Sequence, residues 1–173
     1  MKVVLIGYMG SGKSTIGKTL AKTLEYDFID LDDYMIAKEK MTIPQIFGKK
    51  GELYFRKKEH QYLQELLELN RDVVIALGGG TPCYGSNMDL ILDAEDTTSF
   101  YLKASIPALA ERLFGEKKNR PLISHLDKMD DLKEYIGKHL FERGFYYSRS
   151  QFSIVVDAKT EKDIIEEMVF HLF

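Results

Sequence analysis

Val3-Val4-Leu5-Ile6-Gly7-Tyr8-Met9-Gly10-Ser11-Gly12-Lys13-Ser14-Thr15 decides how the rest of the chain is read. Its apolar run, Val3 to Ile6, predicts a buried strand that stops at Gly7. From Gly7 the residues fit G-x-x-x-x-G-K-[ST]. In such a loop the glycines let backbone N–H groups converge on phosphate oxygens without side-chain obstruction. Lys13 can reach the β- and γ-phosphates, and Ser14 can present its hydroxyl to Mg²⁺. Ile16, Leu20, Ala21 and Leu24 follow at helical spacing, so the loop opens a helix whose dipole adds positive potential at the same point. Strand, loop and helix in this order are the context a phosphate cradle needs. A plain glycine turn with an exposed lysine is the bland alternative.

Outward from this unit, short β-branched runs alternate with longer helix-period segments. That pattern predicts an α/β chain, a parallel sheet covered by helices. Strands are expected at Tyr26–Asp30, at Val73–Leu77 (closed by Gly78-Gly79-Gly80), at Ser99–Leu102 and at Ser153–Val156. Ile164, Ile165, Met168, Val169, Leu172 and Phe173 mark one face of a last helix. The stretch 115–128 (GEKKNRPLISHLDK) is polar, contains Pro121 and reads as a mobile excursion, because helical pattern resumes at Asp131. The 173 residues fit a single domain spanning 1–173.

Composition excludes several classes. With 24 Lys+Arg against 27 Asp+Glu the net charge is −3, which supports no broad surface for nucleic acid or anionic lipid. One cysteine, Cys83, allows no internal disulfide, and no Cys/His cluster suggests zinc. No run approaches the roughly 18 apolar residues of a membrane span. A soluble cytoplasmic protein is expected, and a monomer, since no exposed apolar stripe stands out. The four histidines show no ligand spacing, and Cys83 reads as a small packing residue.

A phosphate loop alone does not separate a switch from an enzyme. The Asn-Lys-x-Asp pattern that reads guanine is missing, and Val73–Leu77 runs straight into glycine without the usual acid. Asp30, closing the second strand beside the phosphate-loop strand, is then the natural helper for a metal ion. Asp30 and Asp32 stand two apart and point the same way if the strand continues. One would serve Mg²⁺ and the other an acceptor hydroxyl. Alternatively these acids cap the following helix, with Asp33 the better placed cap.

Two arginines sit where a surface residue should not. In the helix from Gly51 to about Leu69, Arg56 lies within ~20° of Leu63 and Leu67, at ~100° per residue. In the helix after Asp131, Arg143 lies within ~20° of Leu132 and Ile136. A buried guanidinium is costly unless an acid or an anionic ligand pairs with it, so the two suggest a clamp for a carboxylate. Snorkelling, or for Arg56 a surface pair with Glu52, is the alternative. Gly78-Gly79-Gly80 can offer N–H groups to the same ligand or simply punctuate the strand. Arg120, in competition with Lys117 and Lys118, can close over a nucleotide.

These residues together resemble the shikimate kinase family: GYMGSGKST (7–15), FIDLD (28–32), G-E-x-x-F-R (51–56), GGG (78–80), RPL (120–122) and Arg143 with nearby Tyr147. The resemblance covers roughly residues 2 to 157. It implies a P-loop three-layer α/β/α fold of the nucleoside-monophosphate-kinase type, with five parallel strands in the order 2-3-1-4-5. It also implies transfer of the ATP γ-phosphate to the 3-hydroxyl of shikimate, on the route to chorismate and aromatic amino acids. By motif position, Gly10, Ser11, Gly12, Lys13, Ser14 and Thr15 would bind ATP, and Ser14 would ligate Mg²⁺ with Asp30 in support through water. Asp32 would bind shikimate hydroxyls and act as base. Arg56, Gly79 and Arg143 would bind shikimate, through a helical segment of about 32–60 and the later helix. Lys13 and Arg120 would neutralise phosphate charge, Arg120 from a mobile lid of about 115–128. Where family members often place an arginine near adenine, this chain has Asp157-Ala158-Lys159-Thr160, so adenine recognition is left unassigned. A kinase for another hydroxylated acid such as gluconate, a nucleoside-monophosphate kinase, and an ATP-dependent regulatory module are the competing readings.

Overall fold

Val3, Val4, Leu5 and Ile6 have no solvent-exposed surface, as a strand covered by helices on both faces requires. They belong to β1 (Lys2–Ile6), the central strand of a five-stranded parallel sheet. The computed structural model describes residues 1–173. The other strands are β2 (Asp27–Asp30), β3 (Val73–Ala76), β4 (Thr97–Lys103) and β5 (Phe152–Val155). Their order is β2-β3-β1-β4-β5, the order the resemblance implies. Each expected strand is present, and only the ends move.

The helices are α1 (Lys13–Leu24), α2 (Leu31–Glu39), α3 (Ile43–Lys50), α4 (Glu52–Leu67), α5 (Asn87–Asp93), α6 (Ile106–Glu116), α7 (Met129–Tyr147) and α8 (Glu161–Leu172). α1 packs on β3 and β2 and against α8, while α5 packs on β4 and against α4; sheet and helices form three layers. Local chemistry starts these helices where they start. Thr42 and Gln45 form a capping box at α3, and Thr160 and Asp163 form one at α8.

Strand register places the ligand crevice. Leu5 pairs with Ala76, and Ala76 with Asp30, so the carboxyl ends of β1, β3 and β2 lie in one row. The loops after them emerge side by side, in the crevice where open α/β sheets bind ligands. β3 separates β2 from β1, so Asp30 does not close a strand adjacent to the phosphate-loop strand; it reaches the loop through this common register.

Three expectations are corrected in detail. The polar excursion does not begin at Gly115, because α6 runs through Glu116 and a short 3₁₀ turn, Lys117–Asn119, comes next. Nor is it wholly unanchored: Ile123 is completely buried, pinning its middle to the core. In α8, Ile164, Ile165 and Met168 are buried, but Phe173 lies past the helix end and is exposed. A further surprise is on α7, where Phe141 and Phe145, four residues apart, are 90% and 72% exposed. No helix is long and apolar enough to cross a membrane.

Gly17 shows how closely α1 approaches the sheet. A side-chain carbon there would lie 2.5 Å from Phe28 Cε2 and 3.0 Å from Leu5 Cδ1. Overpacked core positions cost about 1–3 kcal/mol. Gly17→Val is therefore expected to lower the unfolding free energy by that amount, seen as a lower urea midpoint with the slope unchanged. An unchanged midpoint would show that Phe28 swings away freely.

Candidate active site

The phosphate loop runs from β1 into α1, and its geometry depends on two left-handed glycines. Gly10 has φ +79° and Gly12, the residue before α1, has φ +96°, conformations that L side chains adopt only with strain. Lys13 is buried, and its Nζ donates to the carbonyls of Gly7 at 2.7 Å and Tyr8 at 2.9 Å. Burial lowers its pKa to about 8, against the pull of Asp32 and Asp30. Ser11 turns its hydroxyl inward, where it finds no partner; its contribution to a phosphate site would come from the main chain.

Asp30 does two jobs. The chain turns helical at Leu31, so the strand does not continue to Asp32, and Asp30 rather than Asp33 caps α2. Its Oδ1 accepts from the N–H groups of Asp32 and Asp33 at 3.0 and 3.4 Å. Its Oδ2 accepts from the Ser14 hydroxyl at 3.0 Å. A hydroxyl and a carboxylate facing each other at the loop mouth are the hard oxygen donors Mg²⁺ takes alongside phosphate and water, so the residues fit that ion.

Asp32, on the first turn of α2, points toward the Gly78 turn: a side-chain carbon on Gly78 would lie 3.2 Å from its Oδ1. Burial raises the Asp32 pKa to about 6, with Asp30 and Glu59 adding to the rise and Lys13 opposing it. A carboxylate so placed is both desolvated and basic.

The glycine turn after β3 joins everything. A side-chain carbon on Gly79 would lie 3.3 Å from Arg143 Nη1 and 3.4 Å from the Met9 nitrogen. One on Gly80 would lie 3.1 Å from Arg56 Nη2 and 3.5 Å from Arg143 Nη2. Both guanidinium groups thus converge on one point beside the phosphate loop, and only glycine leaves room there. Arg143 pairs with no carboxylate of the chain. Its neighbour Tyr147 is fully buried and donates to the Gly79 carbonyl at 2.6 Å.

Arg56 differs from the surface-pair alternative. Its Nη1 donates to Glu59 at 2.8 Å, whereas Glu52 stands 3.9 Å from Nε. Glu59 is 1% exposed, and its other oxygen accepts from the Thr81 hydroxyl at 2.8 Å. Sequence reasoning missed Glu59, although the angular test that flagged Arg56 also puts Glu59 within ~20° of Leu66.

A cavity of about 510 Å³ is lined by Gly10 to Thr15, Asp30, Asp32, Gly79 and Arg120. Arg56 and Arg143 are not part of its lining: both lie against the glycine turn that borders it through Gly79, and Arg56 lines a second cavity with Tyr84 and Asn87. Arg120 donates to Glu116 from Nε at 3.1 Å and Nη2 at 2.8 Å. Of its competitors, Lys117 is tied to Asp127 and the Leu126 carbonyl instead. Two further wall residues are Arg112, which the sequence reading leaves without a role, and Lys159, which it weighs only as a substitute for the family's adenine-side arginine. Arg112 donates to the Gly10 carbonyl at 3.1 Å, and Lys159 lines the cavity while paired with Glu167.

A phosphate loop on this sheet, with two arginines converging on the glycine turn one strand away, defines an ATP-dependent small-molecule kinase of the nucleoside-monophosphate-kinase type. The family model described as shikimate kinase matches residues 9–172. The chain is 45% identical over 168 residues to the shikimate kinase of Flavobacterium johnsoniae, covering 97% of this chain and 96% of that one. Among solved structures, the shikimate kinase of Bacteroides thetaiotaomicron superposes with a TM-score of 0.87 at 33% identity, covering 99% and 96% of the two chains. That of Acinetobacter baumannii, in complex with shikimate, gives 0.86 at 28%, covering 99% and 92%. The chain belongs to the shikimate kinase family.

Proposed function

We infer that this chain transfers the γ-phosphate of ATP to the 3-hydroxyl of shikimate, giving shikimate 3-phosphate and ADP on the route to chorismate. One observation carries the reading: two guanidinium groups converge beside Gly80, across a glycine turn from a phosphate loop and from Asp32. A planar fork suits a carboxylate better than a point charge does, and a ring held there places its hydroxyls toward Asp32.

The residues then divide the work. Backbone N–H groups of Gly10 to Thr15 and the Lys13 ammonium hold the phosphates. For this, Lys13 exchanges its bonds to the Gly7 and Tyr8 carbonyls for phosphate oxygens. Ser14 and Asp30 would hold Mg²⁺, which would supply neutralising charge for the phosphates when bound. Asp32 orients the 3-hydroxyl and takes its proton, a role its raised basicity supports. Arg143, Arg56 and the Gly79 main chain grip the carboxylate, from the segment of about 32–60 and from α7. Arg120 leaves Glu116 and closes over the transferring phosphate with the stretch of about 115–128, excluding water. In-line phosphoryl transfer needs little beyond this alignment and charge compensation.

The test is ADP release with ATP and Mg²⁺ against shikimate, gluconate and nucleoside monophosphates in parallel. Release driven by shikimate and abolished by EDTA is the expected result. Release driven by gluconate or a nucleotide would move the acceptor assignment. Nucleotide binding without acceptor stimulation would make the chain a regulatory module.

A further inference from the structure

We propose that Tyr84 is a positioning residue for the acceptor: its ring sets the tilt of the Arg56 guanidinium toward the shikimate carboxylate. The proposal rests on the reading of Arg56 as a carboxylate ligand and adds what holds that arginine in place.

Within its own plane the Arg56 head is tied at one corner, Nη1 to Glu59 at 2.8 Å. Nε is buried and without a hydrogen-bond partner, and Glu52 is 3.9 Å away. A single in-plane bond leaves the plane free to turn about that corner. What opposes the turn is an aromatic face, since Arg56 Cζ lies 3.6 Å from the centroid of the Tyr84 ring and 5.0 Å from that of Phe55. The attraction of a cation for a ring face is strongest when the cation is desolvated, and the Arg56 side chain is only 19% exposed.

Tyr84 is itself held from two sides. Its hydroxyl donates to Glu52 Oε1 at 3.2 Å, and its carbonyl accepts from the Asn87 N–H at 3.2 Å. Asn87 is buried, donates to the Thr81 carbonyl at 2.8 Å, and bonds His60 Nδ1 at 2.6 Å. Thr81 in turn donates to Glu59. The loop that carries the ring and the carboxylate that ties Nη1 therefore belong to one network, and together they hold both Nη atoms, at 3.1 and 3.2 Å, against the Gly80 point shared with Arg143.

The experiment is steady-state kinetics on Tyr84→Leu, Tyr84→Phe, Arg56→Ala and the double variant Arg56→Ala/Tyr84→Leu. Tyr84→Leu removes the π face and is expected to raise KM for shikimate about tenfold, with kcat and KM for ATP within about twofold of the parent. Tyr84→Phe keeps the face and should restore KM. In the Arg56→Ala background Tyr84→Leu should add nothing, because the ring acts through that arginine. An unchanged KM in Tyr84→Leu overturns the proposal. So do equal losses toward ATP and shikimate, a Phe variant as impaired as Leu, or an additive double variant. An unchanged shikimate KM in Arg56→Ala overturns the Arg56 reading and this inference together, whereas a raised one beside an unaffected Tyr84→Leu removes this inference alone.

Discussion

Asp32→Asn is expected to lower kcat by about 10²–10⁴-fold, the usual contribution of a positioned base, while KM for ATP stays within about twofold. Asparagine keeps the shape and a hydrogen-bonding oxygen but cannot take the hydroxyl proton. Asp32 makes no side-chain hydrogen bond to the rest of the chain, unlike its neighbour Asp30, so the substitution should strand no partner. Stability should move the other way. Burial and the nearby acids Asp30 and Glu59 make the Asp32 carboxylate unfavourable when charged, and a neutral amide removes that desolvation penalty. Near pH 7.5, without nucleotide or metal, the thermal midpoint of Asp32→Asn should equal or exceed that of the parent. Such opposed effects mark a group kept for function at a cost to the fold. A variant that loses activity and melts early would show Asp32 to be structural. A variant that turns over near the parental rate would leave the base role without support.

How much of the molecule is legible in the sequence depends on the range of each interaction. The phosphate loop is contiguous, so strand, glycines, Lys13 and Ser14 declare themselves within a dozen residues. Arg56 and Arg143 are legible because helix periodicity converts spacing into direction, and both arginines do face inward. The same geometry exposes Glu59 once acids on the stripe are sought as partners for arginines. Strand order lies beyond local pattern, which is why local reading sets Asp30 beside the phosphate-loop strand when β3 intervenes. Helix initiation at Leu31 escapes for a related reason: an acid after a strand reads equally as strand end or cap until its donors are seen. Arg112 carries no signal at all, since its partner, the Gly10 carbonyl, lies 102 positions away. Ile123 is obscured because Leu122 beside it and Leu126 three residues on are equally apolar and no periodicity in this short stretch says which one is buried.

Arg143→Ala is expected to raise KM for shikimate by about 30-fold or more, because truncating one partner of a buried charge pair costs about 2–5 kcal/mol. KM for ATP should move little. The asymmetry follows from how the arginine is held. Arg56 already has an acid, Glu59, within hydrogen-bonding distance, whereas Arg143 has none and rests over the Tyr8 ring at 5.9 Å and against Tyr147. On the proposed reading its unmatched charge would carry the larger share of the attraction for the carboxylate, and removing it in the free protein uncovers no stranded acid. The thermal midpoint should accordingly hold. Arg143→Lys should recover only part of the loss, since an ammonium keeps the charge but not the fork that meets two carboxylate oxygens at once. The methyl ester of shikimate sharpens the test. Against the parent it should bind far more weakly than shikimate, and against Arg143→Ala the two acceptors should differ much less, because the partner of the carboxylate is gone. If the ester and the acid kept their full difference in Arg143→Ala, the carboxylate would be gripped elsewhere. If ATP and shikimate weakened equally, α7 would be bracing the phosphate loop through Tyr8 rather than holding the acceptor.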